Sequence, residues 1–380
     1  MRILHTSDWH LGKLFHAVDL VDDQRHALEQ VVTMVRDEKP DAVVVAGDIY
    51  DRAVPPAEAV ELLDWVLTEL VLGLHTPTIV IAGNHDSADR LHFGSRLLEK
   101  NGLHVVGKLG DSLRPIEIGQ GADTAFICPC PFADAASARE YLRDERLTSQ
   151  DAVLRAMAGR YRQALPAGAR AVLAAHAFVA GGSTSDSERP LSVGGTDQVA
   201  LDCFEEFSYT ALGHLHGPQN VASPRVRYSG SLLKYSKSEA GRAKSVTLVD
   251  WDPAGAVVRE LPLVPKHDVR EVEGLLAELE SGAGPVAASE DYLYVKLLDR
   301  AMPVNAMARL RVRFPNVVDV DVSTAIAAVT GTAQGRSLLE LDDLTLFDSF
   351  MRAATGAGLA PEDRDLVAAA IAGVDGEVVS

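Results

Sequence analysis

Apolar, strand-like segments alternate with amphipathic, helix-like segments through the first 100 residues, and this alternation constrains the fold more than any other feature. The stretches "RILHTS", "DAVVVAGD" and "TPTIVIAGNHD" are typical of strands, and the second is apolar enough to be buried on both faces. Between them, "DDQRHALEQVVTMVRDEKP" and "PPAEAVELLDWVLTEL" have the periodicity of amphipathic helices. Strands separated by helices of this length form β-α-β units with parallel pairing, so the sequence predicts a layered α/β domain.

The strand-like pattern continues to about residue 264, where "RELPLVPKHD", with two prolines, ends it. We therefore predict an α/β core over residues 1–265 and a small α/β capping unit over residues 266–330. In the second unit, "EVEGLLAELESG" and "VNAMARLRVRF" are predicted helices, and "DYLYVKLLD" and "VVDVDV" are predicted strands. Residues 331–380 are predicted to form a linker followed by a helical tail.

Polar side chains recur at the ends of the predicted strands of the core. Five strand ends carry them, in chain order Asp8 with His10, Asp48 with Asp51, Asn84 with His85 and Asp86, His176, and His214 with His216. Ligand sites of open α/β sheets lie beyond the carboxyl ends of the strands, so these five clusters predict one shared site.

The first of these clusters has a simple geometric interpretation. Asp8 and His10 are two residues apart, and such residues point to the same side of an extended backbone. The sequence therefore predicts that a carboxylate and an imidazole project together from the end of the first strand. A solvated polar strand end explains this stretch equally well when it is taken alone.

Carboxylate, imidazole and amide side chains together are the donor set of a divalent metal site. Two divalent ions close together clamp a phosphate group and lower the pKa of a shared water, which becomes a nucleophile. This mixture suits manganese, iron or zinc, whereas an all-oxygen set favours magnesium or calcium.

Charge and composition limit the remaining possibilities. The net charge of −18 argues against a free-standing DNA-binding protein with a broad basic face, unless metal ions or a partner supply positive charge. No apolar run reaches the roughly 18 residues of a membrane span, and charges throughout residues 1–20 predict no signal peptide. Cys128, Cys130 and Cys203 are expected to be buried thiols of a reduced, cytoplasmic protein, with a metal or redox pair at "CPC" as the alternative.

The order of the polar motifs resembles that of a known superfamily. D-x-H, G-D-x-x-D, G-N-H-D, a single His and G-H-x-H follow one another as in the calcineurin-like metallophosphoesterases. Within them, "HTSDWHLGK", "GDIYDRAVPP" and "YSGSLLKYSKSE" resemble the family of bacterial SbcD exonuclease subunits, relatives of the meiotic-recombination DNA-repair nuclease, over about residues 1–350.

The resemblance implies a function and partners. It implies a two-metal DNA nuclease subunit, most consistent with Mn²⁺, that hydrolyses phosphodiester bonds at DNA ends or hairpins in repair and recombination. The implied partners are DNA, an SbcC-type coiled-coil ATPase and a second copy of the chain within a heterotetramer. The unit over residues 266–330 would then cap the core and bind DNA.

The resemblance also implies a role for each polar residue. Asp8, His10 and His216 would hold the first metal, Asn84, His176 and His214 would hold the second, and Asp48 would bridge the two. His85 would lie over the phosphate as a general acid or charge stabiliser, and a flanking carboxylate such as Asp86 could orient it. For Asp51 and Asp86, a helix N-cap or turn carboxylate is the alternative.

Candidate substrate contacts follow the metal motifs. The segment "FVAGGSTSDSERPLSVGGTDQV" comes directly after His176 and is expected to lean over substrate, with Ser183 and Arg189 as contacts. A simple surface connection is the alternative. Lys234, in "YSGSLLKYSKSE", is the third candidate.

The helical tail carries two apolar faces with helical spacing: Phe347, Phe350, Met351 and Ala354, then Val367, Ala370, Ile371 and Val374. Such helices can lay these faces on a partner helix, and the resemblance favours docking on the ATPase. Folding back onto their own unit is the alternative.

Two other functions share these residues. A metallophosphoesterase acting on nucleotides or other small phosphoesters would use the same metal ligands, and a non-catalytic adaptor would have lost some of them. No G-x-x-x-x-G-K-[ST] motif occurs, so any ATP dependence must come from a partner.

Overall fold

The computed structural model describes residues 1–110, 114–189, 198–252, 255–283, 286–300, 303–322, 343–355, 357–360, 362–368 and 371. It divides into two compact units, Met1–Lys266 and His267–Ser380. None of the helices in this described part combines the length and the apolar character needed to span a bilayer.

Sixteen strands and six α-helices build the first unit in the described residues. The strands are β1 (Arg2–Thr6), β2 (Leu14–Phe15), β3 (Val18–Asp19), β4 (Ala42–Ala46), β5 (Thr78–Ile81), β6 (Leu103–Val106), β7 (Ile116–Ile118), β8 (Ala125–Cys130), β9 (Ala171–His176), β10 (Phe178–Val179), β11 (Gln198–Val199), β12 (Tyr209–Gly213), β13 (Gln219–Val221), β14 (Ser223–Tyr228), β15 (Lys244–Asp252) and β16 (Gly255–Leu263). The helices are α1 (Val21–Glu38), α2 (Ala57–Thr68), α3 (Ala88–Leu91), α4 (Ser95–Leu98), α5 (Ala135–Leu142) and α6 (Gln150–Ala164).

Two six-stranded sheets form the core of this unit, with strand orders β16-β15-β1-β4-β5-β6 and β13-β14-β12-β9-β8-β7. Strands β1, β4, β5 and β6 are parallel, as the helix-separated strands of the sequence predict, and β8, β9 and β12 are parallel in the second sheet. One hydrophobic cluster joins residues of both sheets, including Val44, Ile79, Val172 and Ala211. The sheets therefore pack face to face, and the predicted layered α/β fold is confirmed.

The two sheets meet where their parallel strands end. Strands β1, β4 and β5 end at Thr6, Ala46 and Ile81, and β9 and β12 of the other sheet end at His176 and Gly213. The ring of His176 lies 3.0 Å from the carbonyl oxygen of Ala46, so the two sheets contact each other at this edge. The loops that follow all five strands are thereby brought to one place.

The second unit contains a three-stranded parallel sheet of order β17-β18-β19, formed by Val269–Gly274, Tyr292–Leu297 and Val317–Asp321. Helices α7 (Leu276–Ser281) and α8 (Ala306–Leu310) share a hydrophobic cluster with this sheet. The predicted helix "EVEGLLAELESG" is partly wrong, because its first four residues belong to β17. Charged residues between Val269 and Val272 obscure the apolar pattern of this strand.

The tail contains helix α9 (Asp343–Thr355) and a further helical stretch over residues 362–368. The Asp348 carboxylate accepts hydrogen bonds from Arg352 and from the backbone N–H of Leu359, so the chain turns back after α9. Phe347 and Phe350 are 39% and 56% exposed. The side chain of Ala354 and residues Ala370 and Val374 lie outside the described part of the chain.

Candidate metal centre

Eight polar residues from the five strand ends lie close together, and we call them the ligand pocket: Asp8, His10, Asp48, Asn84, His85, His176, His214 and His216. Seven of them are almost fully buried, with exposed fractions between 0% for Asp8 and 6% for His85. Burying so many ionisable groups is costly unless each finds a partner of opposite charge or a hydrogen bond. The contacts inside the pocket therefore decide what it can bind.

The backbone of the ligand pocket is held in an uncommon conformation. Asp8, His10, Asp48 and His214 have positive φ angles of 53, 47, 50 and 108°. Few residues other than glycine adopt this region, and strained residues of this kind cluster at functional sites. The expectation that Asp8 and His10 extend straight from β1 is wrong, because β1 ends at Thr6 and both residues lie in the left-handed turn that follows.

Two glycines let the strand ends approach each other. Gly47 has a φ of 92°, and a Cβ atom there would collide with the His176 ring. At Gly83 a Cβ would collide with the Asp48 carboxylate. The glycine before each polar cluster of these two strands is therefore needed to bring Asp48 and His176 together.

Asp8, His10 and His216 form the first potential metal-binding group. One ligand atom from each lies within 4.8 Å of the others, and the Nε2 atoms of His10 and His216 are 3.0 Å apart. The Asp8 Oδ1 atom accepts a hydrogen bond from the backbone N–H of His214, whereas Oδ2 has no hydrogen-bond partner among the described residues. A buried, unpaired carboxylate oxygen beside two imidazole nitrogens is the environment that a divalent cation stabilises.

Asp48 lies at the centre of the pocket. Its Oδ2 atom faces the Nε2 atoms of His10, His176 and His85 at 3.6, 3.5 and 3.9 Å. These distances are too long for hydrogen bonds. For His10 and His176 they are those expected of ligand atoms that share a cation between them, since metal–nitrogen bonds are about 2.0–2.1 Å long. Asp48, Asp8 and His176 form a second potential metal-binding group.

The remaining two predicted ligands lie beside His176. The Oδ1 atom of Asn84 is 2.9 Å from His176 Nε2, and the rings of His176 and His214 are 5.5 Å apart. His176 donates its Nδ1–H to the Ala46 carbonyl, which leaves Nε2 as the lone-pair nitrogen directed at Asn84 and Asp48. The residue types and positions therefore fit divalent metal ions.

Burial sets the protonation of the pocket. It lowers the pKa of His10 and His214 well below the ordinary histidine value, and in each case neighbouring imidazoles lower it further. Burial, together with the negative charge of Asp48, raises the pKa of Asp8 well above its ordinary value. His10 and His214 are therefore neutral, the form in which imidazole binds a metal.

His85 is oriented differently from the expectation. Its Nδ1 atom lies 2.7 Å from the backbone carbonyl of Asp51, so this carbonyl, and not the Asp86 carboxylate, orients the ring. The Asp86 carboxylate accepts hydrogen bonds from the backbone N–H groups of Ile49, Tyr50 and Gly83. Burial and the charge of Asp48 raise the pKa of Asp86 to about 7 despite these hydrogen bonds. The contacts of Asp86 match the turn-carboxylate alternative.

The three candidate substrate residues lie in different surroundings. The backbone of Ser183 is paired with the side chain of Gln219 through two hydrogen bonds of 2.8 Å. The Lys234 ammonium donates to the carbonyl of Ala240 at 2.7 Å. Arg189 is exposed, and residues 190–197 of the same segment lie outside the described part.

Sequence reasoning missed the residues that support the pocket from behind. Gln24 donates to the carbonyl of His10 and accepts from the backbone N–H of Gly12, and Tyr235 donates to the carbonyl of Trp9. Ser187 and Glu239 lie behind the ring of His216. Tyr235 and Glu239 lie within "YSGSLLKYSKSE", and Ser187 lies within the segment after His176, but only their tertiary contacts show that they support the pocket.

Comparisons with known proteins agree with this site. Residues 1–130 match the calcineurin-like phosphoesterase family, and residues 265–355 match the type 5 capsule protein repressor C-terminal domain. The SbcD subunit of the nuclease SbcCD from Staphylococcus saprophyticus is 31% identical over 359 residues, which cover 94% of this chain and 94% of that protein. The Staphylococcus epidermidis protein of the same name is 30% identical over 369 residues, with 97% of each chain covered.

A solved structure also resembles the chain. A dimetal phosphatase from Danio rerio is 12% identical to this chain, and the alignment covers 70% of this chain and 98% of the phosphatase chain. Its TM-score is 0.40, so we draw no inference from this likeness. The match of the full-length nuclease proteins is much stronger, because it extends through both units at about 30% identity. The chain is a metal-dependent phosphodiesterase, and it belongs to the SbcD family, whose members are subunits of the nuclease SbcCD.

Proposed function

We propose that the protein is a two-metal DNA nuclease subunit that hydrolyses phosphodiester bonds at DNA ends or hairpins in repair and recombination. The observation that carries this proposal is the position of Asp48 Oδ2, which faces three imidazole nitrogens at 3.5–3.9 Å. A nuclease needs such a preassembled, buried donor set because two cations must be held close together against their own repulsion.

Each residue of the pocket has a proposed role. Asp8, His10 and His216 would hold one ion, Asn84, His176 and His214 would hold the other, Asp48 would serve both, and Mn²⁺ is the proposed metal. When bound, the two ions supply Lewis-acid stabilisation of the phosphate and acidify water.

His85 is the proposed acid. Because the Asp51 carbonyl accepts its Nδ1–H, a second proton would reside on Nε2, the atom that points into the pocket. From there it can be donated to the oxygen that leaves when the phosphodiester bond breaks. Ser183, Arg189 and Lys234 are the proposed substrate contacts, and Asp86 supports the loop that carries His85.

Exposed apolar side chains support the proposed partners. Val60, Phe93 and Leu98, on and beside helices α2 to α4, are 45%, 85% and 37% exposed and line one groove, which is a candidate surface for a second copy of the chain. Phe347 and Phe350 of α9 form a candidate surface for an SbcC-type coiled-coil ATPase. A chain lacking residues 337–380 should then fail to co-purify with the ATPase and keep metal-dependent cleavage of single-stranded DNA.

The proposal also covers the role of the second domain and the cellular location of the protein. Residues 266–330 are the proposed DNA-binding capping domain, and the reducing cytoplasm is the proposed location. The three free, buried thiols of Cys128, Cys130 and Cys203 support that environment.

Cleavage assays test the proposal. Purified protein is offered linear and hairpin DNA, with a nucleoside monophosphate in parallel, in Mn²⁺, in Mg²⁺ or in chelator. DNA cleavage that requires a divalent ion is the expected result. Hydrolysis of the nucleotide without cleavage of DNA would instead favour the small-phosphoester alternative.

A further inference from the structure

A row of buried and half-buried polar side chains lies behind the ring of His216, and we call it the rear network: Ser187, Ser231, Glu239 and Lys244. We propose that Ser187 is a positioning residue, whose hydroxyl links His216 to Glu239 and so fixes the ring tautomer that binds metal. This inference rests on the metal centre of the proposed function, since it concerns one of its ligands.

The hydrogen bonds have one consistent direction. Glu239 and Lys244 are joined as a buried ion pair, so the Glu239 carboxylate is ionised and can only accept. Ser187 Oγ lies 2.6 Å from Glu239 Oε1, and it must therefore donate its proton to that oxygen. The same Oγ lies 2.6 Å from His216 Nδ1, so its lone pair accepts the Nδ1–H of the ring.

This direction determines which nitrogen of His216 can bind a metal. With the proton on Nδ1, Nε2 carries the lone pair, and Nε2 is the atom that lies 3.0 Å from His10 Nε2 in the ligand pocket. Without Ser187, the Glu239 Oε1 atom that faces Nδ1 would lie 3.8 Å from it, too far to accept its proton in a hydrogen bond and so to fix the tautomer as firmly. Partners of this type are known to raise metal affinity because they orient the ring and increase its basicity.

The far end of the rear network is fully bonded. The three protons of the Lys244 ammonium are directed to Glu239 Oε2, to Ser231 Oγ at 2.8 Å and to the carbonyl oxygen of His216 at 2.7 Å. Glu239 and Lys244 are 0% and 5% exposed. A buried ion pair of this kind is costly to form, and its geometry here holds both the backbone and the ring of a single residue, His216.

The segment that carries Ser187 is anchored at the same place. Glu188 accepts a hydrogen bond from the backbone N–H of His216 at 2.9 Å, and its other oxygen accepts from the hydroxyl of Ser185 at 2.9 Å. Two adjacent residues of the segment therefore contact His216. The position of the Ser187 hydroxyl is set by these contacts, as a positioning role requires.

His216 differs in this respect from two other histidines of the pocket. His176 and His85 are oriented by the backbone carbonyls of Ala46 and Asp51, which no substitution removes. The support of His216 comes from a side chain, so it can be removed without changing a ligand. Ser187→Ala is therefore a specific probe of one metal site.

The experiment titrates Mn²⁺ into metal-free full-length protein by calorimetry. We expect Ser187→Ala to weaken the binding of one Mn²⁺ ion by about 10- to 100-fold while the second ion binds as in the wild type. At limiting Mn²⁺, the electron paramagnetic resonance signal of a spin-coupled Mn²⁺ pair should be reduced. Ser187→Thr, which keeps the hydroxyl, should restore both, and the exposed Thr184→Ala on the same segment should behave as wild type.

The outcomes separate this inference from the proposed function. Wild-type protein that binds no Mn²⁺ would overturn both. Wild-type binding of two ions with unchanged affinity in Ser187→Ala would overturn the role of Ser187 alone. Equal weakening in Ser187→Ala and Ser187→Thr, or a fall in the melting temperature of metal-free Ser187→Ala that accounts for the loss, would show a purely structural role and also overturn it.

Discussion

The ligand pocket and the rear network are both largely buried and lie on opposite sides of His216, yet their hydrogen bonding differs. In the rear network, the carboxylate of Glu239 and the ammonium of Lys244 are both paired. In the pocket, the buried Asp8 Oδ2 atom has no hydrogen-bond partner within the described residues. Buried polar atoms normally have hydrogen-bond partners in a folded protein. The ligand pocket, where a partner is missing, is therefore adapted to bind a ligand, and the rear network, where the charged groups are paired, is adapted to keep His216 in position.

The largest effect is expected from the centre of the pocket. Asp48→Ala removes a carboxylate that faces three imidazoles, and we expect the metal content to fall from about two ions per chain to near zero, with loss of detectable DNA cleavage. Elemental analysis of the purified protein measures this, and the exposed Asp64→Ala is the matched control. Retention of two ions would contradict the central role of Asp48.

The next effect separates a proposed acid from the ligands around it. His85→Asn should leave the metal content near that of the wild type and lower the cleavage rate by roughly 10²–10⁴-fold, the usual contribution of a general acid. Single-turnover cleavage and metal analysis on the same preparation measure both quantities. The exposed His75→Asn serves as control, and loss of a metal ion in His85→Asn would make His85 a ligand.

A third prediction tests how much the rear network stabilises the fold. Glu239→Ala leaves the buried Lys244 ammonium without its counter-ion, so we expect the free energy of unfolding of the metal-free protein to fall by about 3–5 kcal/mol. Chemical denaturation in chelator measures it, beside the exposed Glu140→Ala, which should change by less than about 0.5 kcal/mol. A decrease in the free energy of unfolding of less than about 1 kcal/mol would mean that the rear network does not stabilise the metal-free protein more than the ligand pocket does.

The smallest effect has the opposite sign. Asp8 Oδ2 is unpaired and its carboxylate is repelled by Asp48, so Asp8→Asn should raise the free energy of unfolding of metal-free protein by about 1 kcal/mol. In saturating Mn²⁺ the same substitution should lower the stability relative to the wild type, because a metal ligand is lost. Destabilisation in chelator would show that Asp8 is satisfied without a metal.

The sequence predicted the strand ends of the pocket because apolar periodicity locates strands and the motifs follow them directly. It did not predict the turns at Asp8 and His10, since two-residue spacing suggests extended backbone, whereas both residues have positive φ. Ser187 and Glu239 are 52 residues apart and meet only through tertiary packing, so their contact was beyond any local pattern. Strand β17 was missed because charged residues interrupt its apolar pattern.

The left-handed backbone of the ligand pocket has an evolutionary consequence. Each non-glycine residue in this conformation costs about 1–2 kcal/mol, and Asp8, His10, Asp48 and His214 all adopt it. Selection for heat resistance alone would replace these residues with glycine, and the chain would gain stability as it lost its metal. Descendants that no longer need catalysis should therefore drift first at these four positions, while the glycines at 47 and 83 persist.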